Sequence, residues 1–329
     1  MSGSLTALEI CAGAGGQALG LEQAGIEHAA LAEIDPDACN TLRANRPGWK
    51  VIEGDIRDLD GRQFEGIDLL AGGVPCPPFT VAGHRLGAGD ERDLFPEALR
   101  LTAQARPRAV MLENVPGLAQ PRFLGYRQEF LERLSGLGYA SRWQILRSDM
   151  FGVPQARPRL VLIAMRRPLP VLGHHDSTPR TVIDASGVPW PVGSGAPARS
   201  AGAALCDLMA ARGWPGAAAW ALNASAVAPV IVGGSKKHGG PDLGPTRSRE
   251  AWRRLGVNGG SVADEAPGPD FPADGLPRLT VRMVARLQGF PDDWQISGRK
   301  TAAYRQVGNA LPPQVARAAG EVIRRAIEG

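Results

Sequence analysis

The sequence has few of the residues that build several classes of protein. Its 329 residues include four cysteines and no Cys-x-x-Cys pair, which argues against a structural zinc site or a disulfide framework. No stretch approaches the roughly 18 consecutive apolar residues of a membrane span. Residues 1–8 also lack the basic stretch and apolar run of a signal peptide. We therefore expect a cytoplasmic protein in a reducing setting, without a membrane segment or a bound metal.

The excess of one charge sign is small. Lysine and arginine total 37 against 33 aspartates and glutamates, so the net charge of +4 permits nucleic-acid binding but does not demand it. The hydrophobic share of 43% and the charged share of 21% are typical of globular proteins and exclude wholesale disorder. The length is that of one or two domains.

The first half of the chain alternates short apolar runs with helix-like stretches. Strands are predicted at 5–10, 28–33, 50–53, 67–72, 109–113 and 159–165, and helices at 18–24, 37–45 and 97–105. This alternation is typical of a doubly wound α/β fold with a parallel sheet. Helical periodicity returns over 279–288 and 315–327.

The middle of the chain has a different character. Residues 168–277 are rich in Pro, Gly and Ala, and one helix is predicted within 203–212. Trp190, Trp214 and Trp220 argue for a small, loop-rich unit with its own core; a disordered insertion is the alternative. We place the larger unit at residues 1–168 and 296–329 and the smaller unit at 169–295.

A glycine-rich turn, ICAGAGG at residues 10–16, joins the first strand to the first helix. Glycine permits a tight turn and close approach to a ligand, at the sheet edge where nucleotides bind. Glu33 ends the second strand and can accept hydrogen bonds from ribose hydroxyls; Asp55 follows the third strand and can accept one from an adenine amino group. Residues 13–18 also fit the G-x-G-x-x-[G/A] pattern of NAD-binding proteins, which alone is weak evidence. The pattern predicts a nucleoside cofactor and leaves its identity open.

A second turn, GGVPCPPF at residues 72–79, follows the fourth strand. Pro75 and Pro77 stiffen the backbone on either side of Cys76, and the glycines make room. A thiol held on such a turn is well placed as a nucleophile, although it needs activation or a partner that takes charge from the substrate. The alternative is a buried cysteine that only fills space.

Eight segments in order resemble the motifs of bacterial DNA (cytosine-5) methyltransferases. They are CAGAGG at 11–16, EID at 33–35, GDIRDL at 54–59, GGVPCPPF at 72–79, ENV at 113–115, QARPR at 155–159, LTVRMVARLQGFP at 279–291 and GNALPP at 308–313. The resemblance covers residues 5–165 and 278–325. It implies a Rossmann-like methyltransferase sheet that carries catalysis and cofactor binding on the larger unit, with the smaller unit recognising the DNA target.

The resemblance also implies a reaction. A methyl group passes from S-adenosylmethionine to C5 of a cytosine flipped out of double-stranded DNA, leaving S-adenosylhomocysteine. Cys76 adds to C6 of the ring, and Glu113, kept protonated by burial, donates to N3. Arg157 is expected to hold the ring O2 and Arg159 to brace the pocket, with Asn114 bonding the backbone nearby.

By the same resemblance, a set of residues is expected at the cofactor. These are Cys11, Gly13, Ala14, Gly15, Gly16, Glu33, Ile34, Asp55, Ile56, Pro75, Leu94, Asn309 and Ala310. The chain departs from the family pattern at Cys11, where a phenylalanine usually packs on the adenine, and at Pro77, where glutamine commonly follows the catalytic cysteine.

Two regions are predicted to contact DNA. Residues 80–92, with Thr80, His84 and Arg85, suit a glycine-hinged lid; an ordinary surface loop is the alternative. Residues 231–256 carry six basic and two acidic side chains, and we expect sequence readout within 174–275, chiefly over 233–254. The residues expected to contact DNA here are Lys236, Lys237, Arg247 and Arg249; a solvated basic face is the alternative.

Arg278, Arg282 and Arg286 recur at four-residue spacing, as one helix stripe that contacts either DNA or carboxylates of the smaller unit.

The leading interpretation is the modification enzyme of a restriction-modification system, a monomer with a restriction endonuclease as its potential companion. A tRNA cytosine methyltransferase on the same scaffold and a catalytically inactive DNA-binding relative are the alternatives. A nicotinamide dehydrogenase would explain the glycine turn but leaves Cys76, Glu113 and Arg157 without roles.

Overall fold

A seven-stranded sheet forms the centre of the larger unit. The structure, a computed structural model, describes residues 4–75, 93–168, 181–183, 187–193, 195, 197–234 and 240–329. The strands of the sheet are β1 (Leu5–Ile10), β2 (Ile26–Glu33), β3 (Val51–Glu53), β4 (Leu69–Gly72), β5 (Ala109–Asn114), β6 (Tyr139–Arg147) and β7 (Pro158–Arg166). Their order is β3-β2-β1-β4-β5-β7-β6. A separate two-stranded ribbon pairs β8 (Thr181–Ile183) with β9 (Pro189–Pro191).

Helices flank the sheet, and four lie in the described part of the smaller unit. They are α1 (Gly16–Gln23), α2 (Pro36–Asn45), α3 (Phe95–Ala105), α4 (Leu124–Gly136), α5 (Ala201–Ala210), α6 (Ala217–Asn223), α7 (Thr246–Arg254), α8 (Val281–Leu287), α9 (Lys300–Asn309) and α10 (Pro313–Glu328). Within the described ranges, no helix combines the length and apolar character that crossing a bilayer requires.

The sheet is parallel over β1 to β5 and antiparallel at one end. β7 runs antiparallel to both β5 and β6. The predicted doubly wound α/β fold is confirmed, but the sequence reading missed β6 and α4. The strand order reverses between β1 and β4, so the carboxyl ends of the central parallel strands open into one crevice, where such folds bind ligands.

Both faces of the sheet are buried, which explains why the parallel strands appear in the sequence as continuous apolar runs. On one face, Leu8, Ile10 and Leu112 pack with Phe95 of α3 and Phe130 of α4. On the other face, the alternate strand residues pack against α10, whose buried residues include Val315, Ala316, Ala319 and Ile323.

The chain between the sheet and α8 is packed, not a disordered insertion, over its described residues. Trp214, Trp220 and Trp252 share one core with Leu279 and Tyr304. Trp190 belongs instead to the core that covers the sheet beside α10. The segment 187–191 therefore packs on the larger unit, whereas the domain boundaries at 168 and 295 remain a prediction.

Candidate active site

Four chain segments meet at the carboxyl edge of the sheet. The glycine turn follows β1, Glu33 ends β2, the turn 73–75 follows β4, and Glu113 and Asn114 end β5. Because these strands are parallel neighbours, their carboxyl ends lie at the same edge. The topology thus brings together side chains that are far apart in the sequence.

Glu113 and Arg159 form a buried ion pair at this edge. Arg159 Nε lies 2.7 Å from Glu113 Oε1, and their side chains are only 8% and 9% exposed. Burial raises the pKa of Glu113, although the positive charge of Arg159 lowers it in part. The raised pKa makes the protonated carboxyl, which can donate a hydrogen bond, easier to form than at an exposed glutamate.

The turn after β4 lies against the Glu113 side chain of this pair. The backbone of Gly73 passes so close that a Cβ there would lie 3.4 Å from Glu113 Oε2. Asn114 Nδ2 donates to the Val74 carbonyl at 2.7 Å, and Asn114 Oδ1 accepts from the Val115 amide at 2.8 Å. The prediction that Asn114 bonds the backbone is confirmed. Asn114 thereby fixes the chain two residues before Cys76, which lies outside the described residues.

Arg157 makes contacts other than those of the Glu113–Arg159 pair, and the roles expected of the two arginines at the base stay predictions. Arg157 is fully buried; Nη1 donates to the Ile231 carbonyl at 2.6 Å and Nη2 donates to the Gly308 carbonyl at 2.5 Å. The physical reason is that β7 begins at Pro158, so Arg157 lies in the preceding loop, beside two carbonyls from distant segments. Arg159, inside the strand, is the arginine that contacts Glu113.

Two buried glutamines, which the sequence reading did not single out, extend the contacts around Arg157. Gln155 accepts from the Ile231 amide at 3.0 Å and donates to Gln288 Oε1 at 2.8 Å. Gln288 in turn donates to the Val307 carbonyl at 2.7 Å. The sequence did point to these two glutamines, because both lie within segments that resemble family motifs.

The glycine turn is held open by unusual backbone conformations and by Glu33. Cys11 has φ of 53°, a left-handed value that strains any residue except glycine, while Gly13 and Gly15 have φ of 56° and 80°. Glu33 Oε2 accepts from the Gly13 amide at 2.7 Å, and Oε1 accepts from the amides of the two residues after Glu33 at 2.9 and 2.8 Å. One carboxylate thus ties the ends of β1 and β2 together.

Polar and apolar groups suited to a nucleoside surround this turn. The Ile34 side chain is 61% exposed next to Glu33 and offers an apolar surface for a flat ring. Asp55 caps the 3-10 helix Ile56–Asp58 by accepting from the Arg57 amide at 2.9 Å. Of the other expected cofactor residues, Ile56 is buried, Leu94 precedes α3 and Pro75 is exposed.

The pocket is acidic. Burial raises the pKa of the Cys11 thiol, and the carboxyl groups of Glu33, Asp55 and Glu9 raise it further. Glu9 is fully buried, and both of its carboxyl oxygens lack a hydrogen-bond partner among the described residues. Burial raises the pKa of Glu9 well above its usual range, with a smaller opposing effect from the nearby Ala18 amide. The Glu33 carboxylate, which faces the glycine turn, fits a cofactor that carries positive charge.

The turn at residues 308–313 returns to the glycine turn. A Cβ on Gly16 would lie 2.3 Å from the Leu311 carbonyl and 3.2 Å from the Cβ of Ala310. Asn309 Nδ2 donates to the Gly234 carbonyl at 3.1 Å, a contact with the smaller unit. The cofactor contacts expected of Asn309 and Ala310 remain predictions.

The predicted DNA-binding residues divide into two groups. Thr80, His84, Arg85, Lys236 and Lys237 lie outside the described residues. Arg247 and Arg249 lie on α7, where Arg247 is exposed and Arg249 pairs with Asp242 at 3.2 Å. The basic segment 233–254 is thus partly helix.

The predicted helix stripe of three arginines is wrong. Arg278 is exposed and precedes α8, which begins at Val281. Arg286 pairs with Asp207 and Asp292, the carboxylate alternative left open above. No group of three or more acidic, histidine or cysteine side chains that could hold a metal ion occurs within the described ranges.

Comparisons with known proteins give matches over nearly the whole chain. A family model described as C-5 cytosine-specific DNA methylase matches residues 5–187 and 239–325. The Type II methyltransferase M.NaeI of Lentzea aerocolonigenes is 52% identical over 98% of this chain and 76% of its own length. The Type II methyltransferase M.NgoMIV of Neisseria gonorrhoeae is 47% identical over 98% of both chains.

Two solved structures share the fold. A putative DNA modification methyltransferase encoded within an E. coli prophage superimposes with a TM-score of 0.66 at 21% identity, covering 99% of this chain and 100% of its own. A mutant of Spodoptera frugiperda DNMT2 gives a TM-score of 0.66 at 17% identity over 98% of this chain and 100% of its own. At these identities the likeness supports the fold alone.

Proposed function

The chain belongs to the C-5 cytosine-specific DNA methylase family, and from this premise we propose that it methylates C5 of a cytosine at a specific site in double-stranded DNA. The methyl donor is S-adenosylmethionine, and the enzyme is the modification partner of a restriction-modification system. The single observation that supports this chemistry best is the buried Glu113–Arg159 pair beside the turn that leads to Cys76.

Each residue of the pocket has a separate role in the reaction of the cytosine ring. The Cys76 thiolate adds to C6, forming an S–C6 bond while the C5–C6 double bond supplies its electron pair to the ring. Glu113 donates its proton to N3, because burial raises its pKa and eases protonation. Arg159 compensates the charge that develops on the ring and donates to O2, the role first expected of Arg157. Once C5 carries the methyl group, N3 returns its proton to Glu113. The C5 proton then passes to water as the S–C6 bond breaks, which restores the C5–C6 double bond, the aromatic ring and the Cys76 thiolate.

The cofactor supplies an electrophilic methyl group next to C5 when it is bound. Glu33 accepts from the ribose hydroxyls, because its carboxylate already faces the glycine turn. Ile34 packs on the adenine, in part replacing the aromatic ring that Cys11 lacks. The Glu33 carboxylate also favours a cationic ligand beside the glycine turn.

Transfer of labelled methyl groups to duplex DNA tests the function, with an RNA substrate beside it. Bisulfite sequencing then maps the methylated cytosine. DNA that contains 5-fluorocytosine at the mapped position should trap the enzyme covalently, because fluorine cannot leave as a proton does.

The matched control is Cys76→Ala, which should bind the same duplex without transfer or trapping. Transfer to RNA but not to DNA would contradict the proposed substrate. Equal trapping by Cys76→Ala would contradict the nucleophile.

A further inference from the structure

Arg157 links two segments that belong to different parts of the molecule. Its guanidinium donates to the carbonyl of Ile231, in the smaller unit, and to that of Gly308, at the end of α9. The side chain is fully buried, and no carboxylate pairs with it within the described ranges. A buried charge is costly unless hydrogen bonds compensate it. The bridge therefore consists of two strong, charge-assisted bonds whose removal would leave two carbonyls unpaired.

The same two segments also cross backbone to backbone. A Cβ on Gly308 would lie 2.5 Å from the Cα of Gly233, and a Cβ on Gly233 would lie 2.7 Å from the Asn309 amide nitrogen. Only glycine at both positions permits this approach. The Asn309 side chain then bonds the Gly234 carbonyl at 3.1 Å. The segment 231–234 is thus fastened to the segment 308–309 at both of its ends.

The far end of the turn at 308–311 contacts the glycine turn of the proposed cofactor pocket. Leu311 and Ala310 contact Gly16 so closely that no side chain fits there. Trp294 Nε1 also donates to the Ala14 carbonyl at 3.0 Å, so a second segment near the C-terminus holds the glycine turn. The glycine turn and residues 310–311 are therefore in direct contact.

We propose that Arg157 is a positioning residue that couples cofactor binding to DNA recognition. This inference rests on the proposed function, because it takes the smaller unit as the DNA-reading part. The cofactor orders the glycine turn, the turn at 308–311 follows it, and Arg157 holds residues 231–234 in the arrangement that engages the target. Since coupling is reciprocal, cognate DNA strengthens cofactor binding by the same factor.

The test is a binding cycle with S-adenosylhomocysteine and the duplex that carries the mapped site. Calorimetry gives the Kd of each ligand with and without the other. We expect a coupling factor of about 5- to 150-fold in the wild type. In Arg157→Lys, which keeps the charge but cannot bridge both carbonyls, the factor should fall toward 1 while each ligand alone binds within about threefold.

Two further variants complete the design. Asn309→Ala removes the contact with Gly234 and should lower the coupling factor in part. Because that factor is a ratio of two Kd values, loss of a direct contact between Asn309 and the cofactor would weaken both values alike and leave the factor unchanged. This variant therefore tests the inference if Arg157→Lys fails to fold. Arg147→Lys alters an exposed arginine paired with Asp149 and should keep the wild-type factor. Wild-type coupling in Arg157→Lys or, where that variant does not fold, in Asn309→Ala would overturn the inference. A wild type that binds neither ligand would instead overturn the proposed function.

Discussion

Replacing Glu113 by glutamine separates catalysis from stability at the ion pair. At 2.7 Å and an effective dielectric constant of ~20, the attraction between Glu113 and Arg159 is about 6 kcal/mol. Removing two ions from water costs several kcal/mol for each. Burial nevertheless raises the pKa of Glu113 despite its partner, so desolvation outweighs the attraction.

The sign of the stability change follows from this balance. A carboxyl whose pKa is higher in the folded state contributes stability below the ordinary carboxyl pKa and loses it as the pH rises. Glutamine resembles the protonated form and avoids that loss. The free energy of unfolding of Glu113→Gln should therefore lie no more than about 1 kcal/mol below that of the wild type, or above it. The difference in favour of the variant should be larger at pH 8 than at pH 5. Methyl transfer should fall by about 100- to 10,000-fold, the usual contribution of a general acid.

Urea denaturation at pH 5 and pH 8, with single-turnover methyl transfer, measures both effects. The matched control is Glu53→Gln, which removes an exposed pair with Arg43 and should change stability by less than about 1 kcal/mol without slowing transfer. A loss of about 3–5 kcal/mol in Glu113→Gln, the usual cost of breaking a buried ion pair, would refute the reasoning.

Three other changes test the cofactor and DNA surfaces. Glu9→Gln should gain stability relative to the wild type as the pH rises above the ordinary carboxyl range, because burial raises the pKa of Glu9; thermal unfolding at several pH values would show no such trend if the carboxyl ionises freely. Glu33→Ala should weaken S-adenosylmethionine binding by about 1–3 kcal/mol in calorimetry, and unchanged affinity would remove Glu33 from the site. Arg247→Ala, at an exposed position on α7, should weaken binding to all duplexes and lower the salt slope by about one unit if it contacts a phosphate. The same slope as the wild type would exclude that contact.

The central part of the fold was predictable because its strands are buried on both faces. β1, β2, β4 and β5 are short apolar runs, and their ends placed Glu33 and Glu113 at the sheet edge. β6 was missed because it is an edge strand, paired only with β7, with polar and partly exposed residues along its length. An edge strand needs no continuous apolar run, so the sequence carries little sign of it.

Motif spacing indicated a reactive pocket but did not assign the two arginines. Both stand near the start of β7, and local periodicity treats them alike. Their contacts differ, because Arg159 pairs with the carboxylate of Glu113, whereas Arg157 donates to the carbonyls of Ile231 and Gly308. Those partners lie far away in the sequence, and only the tertiary structure brings them within hydrogen-bonding distance. The residue types and strand ends were thus determined locally, while the partner of each buried charge was decided by packing between distant segments.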